Sequence, residues 1–280
     1  MPLSFRNPGV AVATDPIPHQ LAAQSNRIAS LGKPQERSVL RPVRLGFLGL
    51  GWIGLNRLQA ISGCPQVEVA AVSDPADAAC EAAIQLCPHA VRCDGLPLLL
   101  DQSLDGIVIA TPSGQHYDQV LAAIEAGLAV FCQKPLTRTA AQAAQLIHSA
   151  QAADVLLAVD YCYRYVNGME QLQRIVRSDE LGTLVAIDLV FHNAYGPNKS
   201  WALDPAQSGG GCVIDLATHL IDLALWATGD LPGDQLTSHL YSQGIRLQDA
   251  EKQIEDTGFA EWLLDDRVHV RLACSWNASM

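Results

Sequence analysis

Three side chains able to hold or move a proton, Asp215, His219 and Asp222, sit in the run 213–226, which is otherwise apolar apart from Thr218. Their spacing of i, i+4 and i+7 places them on one face of a helix. A helix apolar on its other sides is buried, and a buried polar stripe needs partners or a purpose. Two readings stand at this point: a satisfied core network in which aspartate anchors histidine, or a reactive site. Gly209, Gly210 and Gly211 directly before the run allow another molecule or chain to approach closely, which favours a site.

Lys134 lies in Phe131-Cys132-Gln133-Lys134-Pro135-Leu136, just after an apolar run. Open α/β sheets bind ligands beyond the carboxyl ends of their strands, so this lysine either faces a cleft or is an ordinary solvated lysine. Thr111-Pro112-Ser113-Gly114-Gln115-His116 follows another such run. There Thr111 and Ser113 either bond a cofactor or cap a helix, and His116 either lines the cleft or packs under it.

A fourth segment reads Gly49-Leu50-Gly51-Trp52-Ile53-Gly54, after the apolar stretch 43–48 and ahead of a second apolar run, 67–72, that leads to Asp74. Strand, glycine turn, helix, strand and acid in this order meet the needs of a dinucleotide. Glycines bring backbone close to the pyrophosphate, and the helix that opens at Trp52 and Ile53 offers N–H groups and its positive dipole end. Asp74 then accepts from a ribose 2′-hydroxyl and repels a 2′-phosphate, so NAD is expected and NADP is less favoured. A tight strand–helix turn in another α/β protein is the alternative.

The elements that must position these groups follow from hydrophobic patterning. Strands are expected at 43–48, 67–72, 106–110, 128–132 and 154–159, with a weaker one at 89–93. Helices are expected at 52–61, 75–86, 115–126 and 140–152, with Thr139 as an N-cap and Gly63 and Gly127 as stops. Such alternation predicts an α/β, doubly wound parallel sheet. After Asp160 the rhythm changes: helix 168–178, strand 184–192, helix 212–227, and strands 256–264 and 267–276 joined by Asp265-Asp266 in a hairpin. An α+β second domain with an open, mostly antiparallel sheet is the expectation. The domains are then 43–162 for nucleotide and 163–280 for substrate and oligomerisation, after a mobile extension, 1–42, with one short helix near 21–29.

The bulk properties agree. The 280 residues are 49% hydrophobic and 17% charged, with a formal net charge of −11 and no basic run, which speaks against a nucleic-acid surface. Eight cysteines without a C-x-x-C pair point to buried free thiols in a reducing compartment, hence the cytoplasm, and no metal site is expected. No stretch reads as the ~20 apolar residues needed to span a bilayer, and 1–42 lacks the apolar core of a secretion signal.

Taken together, Gly-Leu-Gly-Trp-Ile-Gly, Ala-Thr-Pro-x-x-x-His, Lys-Pro after a strand, and Gly-Gly-Gly-x-x-x-Asp-x-x-x-His-x-x-Asp occur in an order that resembles the glucose–fructose oxidoreductase / inositol dehydrogenase / MocA family of NAD(P)-dependent oxidoreductases. The likeness covers about residues 43–278. It implies hydride transfer between nicotinamide and a secondary alcohol of a sugar, cyclitol or related polyol. Lys134, Asp215 and His219 match the family's catalytic and substrate-binding positions. Gly49, Gly51, Gly54 and Asp74 match its dinucleotide contacts, and Thr111, Pro112 and His116 match the segment lining the nicotinamide half, with Gln133 and Lys134 beside it. Arg164 falls where the family often has Arg-Phe at the domain junction, as a candidate substrate contact. An NAD-dependent glycosidase using transient redox chemistry, or a silent NAD-binding regulator, are the alternatives.

Two departures are visible. Gln133 stands where the family usually has Glu. Members also usually continue past the strand ending at 275–277, so the sheet here is expected to be shortened, either with an exposed edge or covered by a partner in a homo-oligomer; a partial chain is the other explanation.

Overall fold

The computed structural model describes residues 41–249 and 253–277. Most of the expected N-terminal extension, with its helix near 21–29, lies outside the described residues. From Pro42 onward the chain forms one unit containing two sheets.

The first sheet is built from β1 (Val43–Leu48), β2 (Val67–Ser73), β3 (Val91–Arg92), β4 (Gly106–Ile109), β5 (Ala129–Gln133) and β6 (Leu157–Asp160), in the order β3-β2-β1-β4-β5-β6. Every pairing is parallel. Helices α1 (Trp52–Ser62), α2 (Asp77–Leu86), α3 (Leu96–Leu100), α4 (Ser113–Glu125) and α5 (Ala140–Ala153) make the crossovers. Two apolar clusters cover the sheet, one around Phe47, Leu50, Leu58 and Val72, the other around Ile107, Ile109, Val120 and Leu146. The strand order reverses between β1 and β4, so a crevice opens beyond their carboxyl ends. Thr139 caps α5 as expected, its side chain accepting from Gln142 N at 3.2 Å. The expected strand 154–159 starts later, because Asp154 adopts φ +53 to end α5.

After a 3₁₀ turn at Cys162–Tyr165 and α6 (Met169–Arg177) comes β7 (Ala186–His192), then the short α7 (Pro205–Ser208) and α8 (Thr218–Thr228). Strands β8 (Gly233–Ser242), β9 (Ile245–Arg246), β10 (Thr257–Leu264) and β11 (Val268–Ser275) complete a second sheet, β7-β11-β10-β8-β9. Only β7–β11 is parallel; the other pairs are antiparallel. Asp265 and Asp266 both take positive φ in the β10–β11 turn, a conformation that short acidic side chains tolerate. The inner face buries Trp262, Leu264, Val270, Leu272 and Trp276 against Leu216 and Leu220 of the polar-striped helix. Strand β8 was not expected: its sequence Gly-Asp-Gln-Leu-Thr-Ser-His-Leu-Tyr-Ser is polar, its first seven residues are exposed, and no alternation marks it.

The expected helix 212–227 is not uniform. Residues Val213–Ala217 form a π-turn, and regular α-helix begins only at Thr218. The stretch Pro205–Thr228 has a window of mean hydropathy 1.3, long and apolar enough by composition to cross a membrane. Half of that window is buried inside the fold, as in a core helix. All eight cysteines are free thiols; five are buried, but Cys64 is exposed and Cys87 and Cys162 are half-buried.

Candidate active site

A cavity of about 900 Å³ opens at the crevice between β1 and β4, and its far wall is supplied by the polar-striped helix and the end of β11. Each glycine of the turn has its own reason. Gly49 adopts φ +87, and a Cβ there would lie 2.6 Å from the backbone of Ala110. A Cβ on Gly54 would lie 2.1 Å from the Gly49 carbonyl oxygen, so α1 packs directly on the turn. Around Gly51 nothing lies within 4 Å of a would-be Cβ; a side chain there would project into open space beside the cavity it lines.

Gly51 is also the N-cap of α1 and makes no side-chain cap bond. The first-turn N–H groups are therefore available to an anion. Trp52 and Ile53 line the same wall. Asp74 braces the turn: Oδ2 accepts from Leu50 N at 2.6 Å and Oδ1 from Ala76 N at 2.8 Å. The uncapped helix, the empty place at Gly51 and the acid after β2 fit a dinucleotide.

At the other end of the cavity Thr111, Pro112, Gln133 and Lys134 project from the ends of β4 and β5. Thr111 Oγ1 donates to Gln119 Oε1 at 2.5 Å. Ser113 is not a cap; its hydroxyl donates to Ser208 O at 2.9 Å and ties α4 to α7. His116 is buried, with Nε2 at 2.9 Å from Thr111 O and Nδ1 at 2.8 Å from Pro135 O. It staples the two loops that carry Thr111 and Lys134. Burial lowers its pKa, against the two carbonyl contacts.

Lys134 crosses the cavity to the π-turn, its Nζ donating to Asp215 O at 2.7 Å and to Asp215 Oδ1 at 2.9 Å. Asp215 Oδ2 accepts from Trp276 Nε1 at 3.1 Å. The carboxylate is thus held by Lys134 and Trp276, not by His219, so the ring-orienting role suggested by helical spacing is not what the structure shows. The His219 ring instead stacks on Tyr163, with centroids 4.3 Å apart and planes 24° apart, and meets Tyr161 edge-on. Its Nδ1 is buried without a hydrogen-bond partner. Burial first, then the field of Lys134, lowers its pKa to about 4, with Asp215 and Asp160 opposing.

Gln133 is buried and its amide donates to Asp160 Oδ2, which also accepts from Arg57 Nε of α1. A glutamate at 133 would set two carboxylates against each other; the amide removes that repulsion. Gly54 and Arg164 do not line the cavity. Arg164 makes a two-point ion pair with buried Asp222, Nε to Oδ2 at 2.7 Å and Nη2 to Oδ1, and lies over the Tyr161 ring. The expected substrate contact gives way to a pin between the 3₁₀ turn and α8. Gly211 lines the cavity and also packs against another segment: its N–H and that of Val213 donate to the buried Glu255 carboxylate.

Tyr163, Trp276 and Arg57 line the cavity without having been singled out in the sequence. Tyr163 adjoins Arg164, and Trp276 ends an apolar strand, so both read as core aromatics. Only the alternation of β11 hints that Trp276 turns inward.

Comparison with known proteins agrees with this geometry. Residues 43–161 match the family described as "Oxidoreductase family, NAD-binding Rossmann fold", and 169–280 match the GFO/IDH/MocA C-terminal domain. The rhizopine catabolism protein MocA of Rhizobium meliloti is 31% identical over 191 residues, 68% of this chain and 58% of that protein. Inositol 2-dehydrogenase 3 of Saccharopolyspora erythraea is 28% identical over 216 residues, 76% of this chain and 60% of that protein. The chain thus spans about three-fifths of the length of these curated relatives. Among solved structures, GenD2 from gentamicin A biosynthesis in complex with NAD superposes with a TM-score of 0.79 at 22% identity, covering 89% of this chain and 70% of that one. Levoglucosan dehydrogenase with NADH and levoglucosan gives 0.76 at 20% identity, covering 85% and 68%. With both halves matched in order, the chain belongs to the Gfo/Idh/MocA family of NAD-binding oxidoreductases.

Proposed function

We propose that this protein transfers a hydride between NAD and a secondary alcohol of a sugar, cyclitol or related polyol. The observation that carries the reading is that Lys134, Asp215 and His219 share one cavity with the glycine turn. Gly49, Gly51, Trp52, Ile53 and Asp74 hold the adenosine and diphosphate side, with Gly54 letting α1 pack onto the turn that does so; Thr111, Pro112, His116 and Gln133 support the nicotinamide side. Nicotinamide, when bound, supplies the hydride acceptor.

The chain's own groups manage the oxygen and the proton. The Lys134 ammonium, anchored on Asp215, donates to the reacting oxygen and stabilises alkoxide character as it develops. Trp276 keeps the Asp215 carboxylate in place on its other side. His219 is neutral at cellular pH and takes the hydroxyl proton. In the reducing direction the same groups return it.

The division of labour falls near residue 162, with nucleotide held by 43–162 and substrate by 163–280. The exposed apolar residues Val190 and Phe259 on the outer face of the second sheet support a homo-oligomer formed there. Free thiols support a reducing compartment, the cytoplasm.

A panel of polyols and sugars assayed with NAD tests the activity. NADH should accumulate with at least one of them, and Lys134→Ala should lower kcat at least ~10²-fold while the NAD Kd stays put. Release of a sugar leaving group without net NADH would replace the dehydrogenase with a glycosidase. Undiminished turnover in Lys134→Ala would take that lysine out of the chemistry.

A further inference from the structure

The nucleotide end of the cavity holds a second carboxylate, on a different loop from Asp74. Strand β3 pairs with β2 through Ala71–Val91 and Val72–Arg92, and Cys93 N extends the ladder by donating to Val72 O at 2.9 Å. The next residue, Asp94, lines the cavity and is exposed. Gly95 then turns the chain with φ +87, and its N–H donates to Ser73 Oγ at 3.1 Å. The loop carrying Asp94 is therefore fastened to the residue immediately before Asp74.

The two acids differ in what already holds them. Each Asp74 oxygen receives a backbone N–H, from Leu50 and from Ala76. Asp94 has no hydrogen bond or ion pair among the described residues. Of the described cations that line the cavity, Arg57 is bonded to Asp160, Lys134 to Asp215, and Lys199 lies over the Trp201 ring; none comes from the loops after β2 and β3 that carry Asp74 and Asp94. Arg92, two residues before Asp94, is bonded to Asp77 instead. Binding a ribose phosphate calls for an arginine or lysine. This end of the cavity offers two negative charges in its place.

We propose that Asp94 is a specificity-determining residue of the nucleotide site: its free carboxylate, more than the already bonded Asp74, excludes a 2′-phosphorylated ribose. The inference rests on the reading that this cavity holds NAD. Removing the charge lowers repulsion of the phosphate, and reversing it supplies the missing cation.

Calorimetric Kd values for NAD, NADP and the hypoxanthine analogue of NAD, measured on wild type, Asp94→Asn and Asp94→Arg, test it. The substitutions sit at an exposed side chain without partners among the described residues, so the fold is not at stake. Asp94→Asn should tighten NADP by about tenfold relative to NAD, and Asp94→Arg by more. If wild type binds neither dinucleotide, the nucleotide reading itself fails and takes the inference with it. If wild type binds NAD but both variants keep its NAD-to-NADP ratio, Asp94 alone is excluded. If Asp94→Asn weakens NAD yet spares the hypoxanthine analogue, the carboxylate reads the adenine amine and the proposed role is overturned.

Discussion

His219 owes its neutral state to position rather than to a partner. Its ring stacks on Tyr163, its Nδ1 has no hydrogen-bond partner among the described residues, and Lys134 stands close enough to oppose a second positive charge. With a folded pKa near 4 against an ordinary 6.5, the unfolded chain takes up the proton first as pH falls. The stability contributed by burying the neutral ring is complete above about pH 6.5 and is lost progressively towards about pH 4. The urea midpoints of wild type and His219→Gln should therefore converge, or cross, as pH drops through that window; a constant gap would contradict the shift. Lys134, Asp215 and His219 were visible in the sequence because their types and spacing are unusual for an apolar context. Tyr163 and Trp276 were not, since an aromatic that packs and one that lines a cavity look alike until the backbone orients them.

Among the elements, the junction between the first sheet and α8 is held by a charge pair. Arg164 comes from the 3₁₀ turn after β6 and Asp222 from the second turn of α8, and Asp222 is buried. Removing Arg164 leaves an uncompensated buried carboxylate, whereas removing both leaves none. Arg164→Ala should cost on the order of 2 kcal/mol, less than a fully buried pair because the arginine is partly exposed, and Arg164→Ala combined with Asp222→Ala should recover much of it. Denaturant midpoints of the two variants check this; additive losses would mean that the pair is not coupled. The strand–helix alternation of the first sheet was legible because buried parallel strands are short apolar runs. Strand β8 was illegible because its side chains face water and carry no period. The π-turn was hidden too, since the pattern of residues 212–227 suits a continuous helix and only the backbone shows the inserted residue.

At the scale of the whole molecule, the second sheet shows one face to the helix and another to solvent. On the outer face Val190 pairs across to Ala273, and Ala273 to Phe259, which lines up an apolar stripe over three strands. Val190 is 62% and Phe259 45% exposed, high for apolar groups side by side. Sedimentation should find a homo-oligomer that Val190→Lys with Phe259→Lys converts to monomer without loss of NAD binding; an unchanged association state would move the interface elsewhere. The family was readable from four ordered motifs, all of them in turns or helices where chemistry restricts residue choice. The apolar stripe of Val190 and Phe259 was not legible, because strand patterning does not reveal which apolar residues remain in water.

The indole of Trp276 takes up one oxygen of Asp215 while Lys134 takes the other. As the polypeptide leaves the ribosome, the glycine turn, the lysine, the aspartate and the histidine are all made before that tryptophan exists. The reactive cluster is accordingly complete only after β11 has been made, well after the glycine turn, and a lesion at the end of that strand should lower turnover while leaving nucleotide capture intact.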